Sequence, residues 1–317
     1  MPMPKICRRG RGAAVAASLT VALCLTALAG CVSPGRAQDV VPPRVAVDAR
    51  PNGIAVRARD GAVFVTDDRG SAVLWSAHGA AYARYAAIPA VAGEPGGLSQ
   101  LAFAGPDDLL VERFGFGRSG ALVDVPAVGR PVVLTGTDPV RRRLGLAVIG
   151  PGRVLSSWFV KIGNQPERGG VSLVTYDPAT HAATERVLID GMAKPVGLAV
   201  RDGTVYVSDQ SSGTIVRASL DALLAAPQPA TAGPGYARVD GPDLLAVDGD
   251  GALYTKCNAH GFCRIAPDGT ATVLADDFQD ARGVAIDRTR RRLYVVDRAR
   301  QGGTSYVRSF ALPAGTD

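Results

Sequence analysis

The sequence has few of the residue types and motifs that mark the commonest hydrolase sites. Its 317 residues include three histidines and five cysteines. It contains neither the Gly-x-Ser-x-Gly motif of a strained nucleophile turn nor the His-Glu-x-x-His motif of a zinc-binding helix. These absences exclude two well-defined hydrolase classes. What remains for chemistry of this kind is a set of carboxylates along the chain.

The sequence also lacks a strong excess of positive charge once its N-terminus is set aside. The whole chain carries a formal net charge of +6, but four basic residues and no acidic ones lie in residues 1–30. The remaining chain has 31 basic and 29 acidic side chains, a net charge of +2. This near balance predicts that the protein has no nucleic-acid partner.

The one long apolar run lies near the N-terminus. Residues 13–29 form an apolar run of 17 residues after a basic segment, and Leu-Ala-Gly-Cys at residues 28–31 matches a lipoprotein signal. The run is shorter than the roughly 20 residues of a membrane-spanning helix and is typical of a secretory signal. We predict a signal peptide over residues 1–30, a lipidated Cys31 and a tether over residues 31–43. An ordinary signal peptide that contains a cysteine is the alternative.

A lipidated Cys31 also predicts where the protein works. Several acyl chains on one cysteine would hold the protein stably on a lipid bilayer. Val32 and Ser33 follow the cysteine, whereas an aspartate just after it commonly retains lipoproteins at the inner membrane. We therefore expect the periplasmic face of the outer membrane, with a small molecule or a cell-envelope protein as the partner.

Two cysteines remain beyond Cys31, namely Cys257 and Cys263. They bracket five residues between two strand-like segments, so they would face each other across a hairpin. In the oxidising periplasm this arrangement favours a disulfide. Two buried thiols are the alternative.

A pattern of an apolar residue, alanine and a second apolar residue recurs six times. The alanines lie 39–52 residues apart, with a mean spacing of 46. A repeat of that length built from short strands is typical of β-propeller blades. We predict an all-β, six-bladed β-propeller with four antiparallel strands per blade over residues 44–317, its repeats centred on Ala55, Ala102, Ala147, Ala199, Ala246 and Ala285.

The two ends of this repeat region predict how the ring closes. The last repeat ends after a third strand at residues 305–310, and a strand-like segment at residues 44–48 precedes the first repeat. The N-terminal segment is expected to complete the sixth blade and so remove the free sheet edges. One short helix is predicted at residues 219–226, with Ser219 as its N-cap.

Two sets of loops share one face of such a propeller and hold the candidate site residues. The loops that enter the inner strands supply Asn52, Gln100, Arg143, Val196, Asp243 and Arg282. The loops between second and third strands supply Asp67, Asp68, Glu112, Arg113, Asp209, Gln210, His260, Asp297 and Arg298. We expect ligand contacts from Asn52, Gln100, Glu112, Arg113, Gln210, His260 and Arg282. A solvated loop histidine is the alternative for His260.

The longest segment on this face, residues 158–170, combines aromatic, amide and charged side chains between glycines. Long loops inside compact domains are often lids or binding loops. We expect this segment to contribute ligand contacts. The alternative is a purely structural role, as a cover over the channel. The candidates are Lys161, Asn164, Gln165 and Arg168.

Three aspartates, Asp67, Asp209 and Asp297, each end a predicted second strand. A ring of carboxylates suits a hard divalent cation such as Ca²⁺. Their recurrence from blade to blade favours the alternative, in which each carboxylate binds backbone amides of its own loop.

Three loop sequences resemble those of the gluconolactonase/regucalcin-like six-bladed propellers and their NHL-repeat relatives. They are Pro-Asn-Gly-Ile at residues 51–54, Pro-Val-Gly-Leu at residues 195–198 and Pro-Asp-Leu-Leu at residues 242–245. The resemblance implies a catalytic divalent cation, calcium or zinc, held by a glutamate, an asparagine and an aspartate, with a further aspartate as base. Asp243 matches the metal-binding aspartate, and Asp209 and Asp297 are the candidate bases.

The other two metal ligands are missing from the matching positions. Val196 stands where the asparagine is expected, and residues 50–52 contain no glutamate. Two functions therefore remain open. The protein either binds a small ligand or partner at the channel mouth, or it is a divergent metal-dependent hydrolase of lactones or sugar-acid esters.

Overall fold

The computed structural model describes residues 43–77 and 79–313 of the chain. The predicted signal peptide, Cys31 and almost all of the predicted tether lie outside these residues. Within them, no helix has both the length and the apolar character needed to cross a membrane.

Strands make up nearly all of the regular structure. The first half of the chain contains β1 Arg44–Val47, β2 Pro51–Val56, β3 Val63–Asp67, β4 Ala72–Ser76, β5 Ala83–Ala87, β6 Leu98–Phe103, β7 Leu109–Arg113, β8 Ala121–Val125, β9 Val132–Val133 and β10 Arg142–Gly150. The middle contains β11 Arg153–Val160, β12 Arg168–Tyr176, β13 Ala183–Met192, β14 Pro195–Arg201, β15 Thr204–Asp209, β16 Thr214–Ser219 and the helix α1 Leu220–Ala225. The last part contains β17 Ala230–Thr231, β18 Ala237–Arg238, β19 Ala246–Val247, β20 Leu253–Cys257, β21 Gly261–Ile265, β22 Ala271–Ala275, β23 Ala281–Asp287, β24 Arg292–Asp297 and β25 Ser305–Ala311.

These strands form six sheets, each with four antiparallel strands, which confirms the predicted six-bladed propeller. Blades 1, 2 and 3 consist of β2–β5, β6–β9 and β10–β13, and the short β17 pairs in parallel with β13. Blade 4 combines β14–β16 with β18, and blade 5 consists of β19–β22. Blade 6 combines β23–β25 with β1, so the N-terminal strand closes the ring as predicted. Arg44 pairs with Arg308, and Val47 pairs with Ser305.

Buried hydroxyl groups connect neighbouring blades near the axis. Ser208 accepts a hydrogen bond from the Gly197 amide at 2.7 Å and donates one to the Asp243 carbonyl at 2.7 Å. Thr66 and Ser157 make the same pair of bonds in blades 1 and 3. A Cβ on Gly197 would stand 2.5 Å from the Asp243 carbonyl oxygen, so only glycine permits this approach.

The bulges at the start of the inner strands, together with these hydroxyl bonds, define equivalent positions in the six blades. The equivalent residues are Asn52, Ser99, Leu144, Val196, Asp243 and Arg282. The predicted set had Gln100 and Arg143 in place of Ser99 and Leu144, which is an error of one residue in blades 2 and 3. A one-residue shift in a strand turns the side chain to the opposite side. The register of these two strands therefore places Gln100 and Arg143 one residue away from the position that Asn52 occupies in blade 1.

The predicted disulfide and the predicted helix N-cap are both present in the structure. Cys257 and Cys263 form a disulfide with their Cα atoms 5.7 Å apart, at the end of the β20–β21 hairpin. Ser219 is the N-cap of α1, and its hydroxyl accepts the Ala222 amide.

Blade 3 corrects the predicted loop at residues 158–170. Trp158 and Phe159 are buried in β11, and the segment 168–170 begins β12, so only residues 161–167 connect the two strands. Aromatic side chains favour strands when one face packs against neighbours. Trp158 donates a hydrogen bond to Ser172 at 2.8 Å, and the Arg141 guanidinium lies 4.0 Å from the centre of its ring.

Candidate functional site

The structure forms a cavity of about 170 Å³ at the channel mouth, where the entering loops of all six blades converge. Its lining includes Asn52, Asp68, Gly97, Leu98, Phe114, Phe116, Leu144, Lys194, Val196, Gln210, Asp243, Arg282 and Arg298. We call this set the mouth cavity. Apolar residues of blades 2–4 form one side, and charged residues that precede or follow strands of blades 4–6 and blade 1 form the other.

The apolar side of the mouth cavity continues into a small buried cluster. Val196 is 3% exposed and packs in a cluster with Leu144, Phe159 and Leu244, with Phe114 against it. The Phe114 and Phe116 rings lie 4.7 Å apart, and Phe116 remains 45% exposed at the rim. The apolar side is therefore a wall held in place by a buried cluster, and the exposed ring of Phe116 is accessible to a ligand.

The charged side is centred on Arg282. Its guanidinium lies 2.9 Å from the Asp243 carboxylate and 2.6 Å from the Asp280 carboxylate, and Lys256 lies 2.6 Å from Asp280. Burial alone would lower the pKa of Arg282, but the Asp243 and Asp280 carboxylates raise it above its usual value. Burial would likewise raise the pKa of Asp280, but Arg282 and Lys256 lower it. Arg282 and Asp280 therefore hold each other in their charged forms.

A second ion pair joins the neighbouring blades 6 and 1 at the mouth. Arg298 lies 2.7 Å from Asp68, which also accepts the Leu98 amide at 2.9 Å. Burial raises the pKa of Asp68, although Arg298 acts in the opposite direction. This contact links the sixth blade to the first at the rim of the cavity.

Lys194 is the mouth cation that differs from the others. Its ammonium lies 5.6 Å from the centre of the Phe159 ring, next to the apolar wall. Among the residues that the structure describes, no carboxylate lies within ion-pair distance of this ammonium. Lys194 thus brings an unneutralised positive charge to the border between the two sides.

The mouth residues do not fit a divalent cation. One Asp243 carboxylate oxygen accepts the Leu244 amide at 2.9 Å, and the other contacts Arg282 and the Gln210 amide nitrogen. The expected asparagine position is taken by Val196 inside an apolar cluster. Across residues 43–77 and 79–313, no three His, Cys, Asp or Glu side chains are grouped as metal ligands. A guanidinium therefore stands where the family resemblance implies a metal, and no metal-dependent step follows from this geometry.

The recurring aspartates stabilise the loops that carry the site. Asp209 accepts the backbone amides of Ala193 and Lys194 at 2.8 and 3.0 Å, and Asp297 accepts that of Gln279 at 2.8 Å. Asp67 bonds the amides of its own blade in the same way. All three are buried and lie outside the mouth cavity. This geometry agrees with the loop-stabilising alternative; a catalytic role for Asp209 and Asp297 stays a prediction that no contact here supports.

Of the predicted ligand contacts, Asn52, Gln210 and Arg282 line the mouth cavity, together with Asp243. Gln100 and Glu112 do not reach it. The Gln100 side chain is buried between blades and accepts the Ile54 amide, and Glu112 is fully buried against Ser156 of blade 3. Their strands turn these side chains away from the channel, because alternate residues of a strand face opposite sides.

The remaining predicted contacts also lie elsewhere. Arg113 donates hydrogen bonds to the Ser119 and Pro89 carbonyls. The ring nitrogen Nδ1 of His260 bonds the Phe278 carbonyl at 2.7 Å, which fits a loop-stabilising histidine. The last four predicted contacts are Lys161, Asn164, Gln165 and Arg168. The first three lie in the exposed connection between β11 and β12, and Arg168 is the first residue of β12. Gln165 and Arg168 border a separate groove of about 320 Å³.

Sequence reasoning missed Lys194 and the aromatic wall. Lys194 stands directly before the Pro-Val-Gly-Leu repeat, so its place in an entering loop was a signal for the site. Phe114 and Phe116 follow β7 by one and three residues, in a loop that connects second and third strands. The position of that loop pointed to the mouth, but no residue pattern distinguished these rings from ordinary core aromatics.

Known structures with the same ring support the fold assignment. A calcium-binding regucalcin from Agrobacterium tumefaciens matches with a TM-score of 0.62 at 15% identity, over 84% of this chain and 93% of that protein. A gluconolactonase from Xanthomonas campestris matches with a TM-score of 0.62 at 16% identity, over 83% and 86%. The fold is that of the regucalcin and gluconolactonase propellers. The expected resemblance is thereby confirmed for the architecture.

The neighbours of this fold do not agree on one activity. A luciferin-regenerating enzyme matches equally well, with a TM-score of 0.63 at 13% identity over 86% of this chain and 94% of that enzyme. No protein-family model and no curated protein matches the sequence. Because one fold carries many functions, the function has to be argued from the mouth residues themselves.

Proposed function

We propose that this propeller binds a small molecule at its mouth cavity without a catalytic divalent cation. The observation that carries the proposal is the Arg282 guanidinium, which contacts both Asp243 and Asp280 at the mouth. A buried carboxylate needs a compensating charge. Arg282 supplies that positive charge permanently, so no metal is needed to neutralise Asp243 in the cavity.

Hydrolysis of lactones or sugar-acid esters is the weaker candidate. Such a hydrolase needs an activated water and an unengaged base. Asp243 is engaged by Arg282 and Gln210, and Asp209 and Asp297 hold backbone amides. Binding therefore explains more of the mouth contacts than catalysis does.

We place this binding protein on the membrane surface, held by an acylated Cys31 in the cell envelope. The support is the lipoprotein signal in the sequence and the polar tether that follows it. Incorporation of labelled palmitate into the full-length protein, absent from a Cys31→Ser variant, is the expected result. Unchanged labelling in that variant, or release of the unmodified protein as a soluble chain, would contradict this location.

Metal titration tests the binding proposal. In a protein of residues 40–317, we expect excess Ca²⁺ or Zn²⁺ to leave the melting temperature unchanged. An Arg282→Ala variant leaves the buried Asp243 carboxylate without its cation, while Asp280 keeps only Lys256. The variant should therefore be destabilised by about 3–5 kcal/mol. Added Ca²⁺ should restore part of that loss, because a ligand that binds the native state stabilises it.

An Arg282→Lys variant is the control, since it keeps a positive charge between the two carboxylates. Its melting temperature should not respond to Ca²⁺. If either metal raises the melting temperature of the unmodified protein, or stimulates hydrolysis of glucono-lactone by it, the metal-free proposal is wrong. This conclusion stands even if Arg282→Ala does not fold.

A further inference from the structure

The mouth cavity has the size of one small ring. Its volume is about 170 Å³, and an apolar cavity of about 150 Å³ is enough to hold benzene. The opening faces solvent, so a substituent on the ring can extend outward between the loops. This argument rests on the proposed function, because it concerns the ligand of that same cavity.

The apolar wall selects against a highly hydroxylated ligand. Leu98, Leu144 and Val196 contribute apolar residues to this side of the cavity, and Phe114 and Phe116 contribute aromatic ones. Hydroxyl groups placed against such a wall lose their hydrogen bonds to water and gain none in return, which is unfavourable. A flat or branched apolar body would fit this side, whereas an open-chain sugar acid would not.

The charged side selects for a negative group. The cavity lining contains two carboxylates, Asp68 and Asp243, and three cations, Lys194, Arg282 and Arg298. Arg298 pairs with Asp68 and Arg282 pairs with Asp243, which leaves Lys194 as the charge in excess. One anionic group is therefore needed to balance the lining.

The position of Lys194 joins the two requirements. Its ammonium lies beside the Phe159 ring, and Phe159 packs against Phe114 with 5.9 Å between ring centres. If the carboxylate of a ligand binds the Lys194 ammonium, the rest of that ligand lies against the aromatic wall. Charge-assisted hydrogen bonds of this kind are stronger than neutral ones.

The surroundings of the mouth reinforce this preference. An adjoining cavity of about 680 Å³ is lined by Arg50, Arg69 and Arg300, with Asp280 as its one carboxylate among the described residues. A surface of one sign raises the local concentration of ligands of the opposite sign. Anions would therefore be guided toward the mouth.

We infer that the mouth cavity binds a compact monocarboxylate with an apolar ring or branched body, whose acid group is held by Lys194. The ring lies against the wall of Phe114 and Phe116, and the carboxylate points toward the Lys194 ammonium. Arg282 and Arg298 stay paired with their aspartates and shape the opposite side.

Three ligands with one ring and different charges test this inference. Benzoate, benzamide and benzylamine are titrated into the protein of residues 40–317 by calorimetry and by NMR. We expect benzoate to bind about tenfold or more tightly than benzamide, and benzylamine not to bind. A Lys194→Gln variant should lose about tenfold in benzoate affinity, the range of one charge-assisted hydrogen bond, while its benzamide affinity stays unchanged.

A Lys161→Gln variant is the matched control, because Lys161 is an exposed lysine outside the mouth cavity. It should bind benzoate as the unmodified protein does. If benzamide or benzylamine binds as well as benzoate, or if Lys194→Gln binds benzoate unchanged, the inference is wrong while small-molecule binding stands. If none of the three ligands binds, the inference is wrong as well, whereas the proposed function is tested separately by the metal titration of the unmodified protein and its Arg282 variants.

Discussion

Glu112 and Glu185 belong to one buried polar network between blades 2 and 3, but their environments are opposite. Burial raises the pKa of Glu112 well above its usual value, and Ser156 and Arg143 lower it less. Burial also acts to raise the pKa of Glu185, but Arg143 and Arg141 lower it to about 2. Arg143 donates to Glu185 at 2.7 Å, whereas the nearest bond of Glu112 comes from the neutral Ser156 hydroxyl. The neutral hydroxyl partner of Glu112 thus favours its protonated form, and the arginine partners of Glu185 favour its ionised form.

Substitution of Glu112 by glutamine tests this assignment through the pH dependence of stability. A raised pKa means that the folded protein keeps a proton which the unfolded chain releases above about pH 4.5. Stability is therefore complete below that pH and falls as the pH rises. Glu112→Gln cannot ionise, so it should gain stability over the unmodified protein between pH 5 and 8, by up to about 1.4 kcal/mol per pH unit.

Urea unfolding at several pH values measures this difference. Glu94→Gln is the control, since Glu94 lies in a loop and its pKa is lowered by the Ser119 hydroxyl and by backbone amides. A lowered pKa contributes stability that is lost as the pH falls, so this variant should show no gain at high pH. Parallel stability curves for Glu112→Gln and the unmodified protein would mean that Glu112 is ionised when folded.

At the scale of single elements, the hairpins show how local pattern and packing combine. The β20–β21 hairpin has the alternation and the cysteine spacing that predicted a disulfide, and it forms one. In the β11–β12 hairpin, the sequence pattern predicts a loop over residues 158–170, because aromatic, amide and charged side chains are mixed there between glycines. Packing of the Trp158 and Phe159 rings extends both strands past the ends of their counterparts in other blades. Neighbouring blades supply that packing, so sequence pattern alone underestimated the strands.

Reduction of the Cys257–Cys263 disulfide should weaken the fold only modestly. The bond closes a loop with a sequence separation of 6 residues, and restricting so short a loop in the unfolded chain stabilises the fold by about 2 kcal/mol. Equilibrium urea unfolding with and without a reductant measures this effect. A double variant, Cys257→Ala with Cys263→Ala, should unfold identically in both conditions. A loss much larger than this in the unmodified protein would show that the disulfide holds more than its own hairpin.

At the scale of the whole molecule, the ring depends on its N-terminal strand. β1 is four residues long, yet it covers the edge of β25 and buries Val47. Without β1, the sixth blade would expose an unpaired strand edge, and such edges invite association with other chains. Ring closure therefore determines both stability and solubility.

Truncation tests the importance of closure. A protein of residues 51–317 lacks β1, and the protein of residues 40–317 is its control. We expect the shorter protein to melt on the order of 10 °C lower and to associate, because lost closure removes several kcal/mol from a marginal total. Light scattering after size-exclusion chromatography, together with thermal melting, measures both effects. A monomeric shorter protein with an unchanged melting temperature would show that the ring does not need β1.

The sequence by itself determined the repeat, the number of blades, the closing strand and the face on which the loops gather, and it favoured the disulfide. These features follow from periodic apolar residues and turns, which are local properties of the chain. Only the tertiary structure decided that Arg282 neutralises Asp243 and that Lys194 stands beside an aromatic wall. It also decided that Ser99 and Leu144, not Gln100 and Arg143, are the equivalents of Asn52 in blades 2 and 3. Charge pairing across blades and strand register depend on contacts between distant segments, and a local pattern does not specify those contacts.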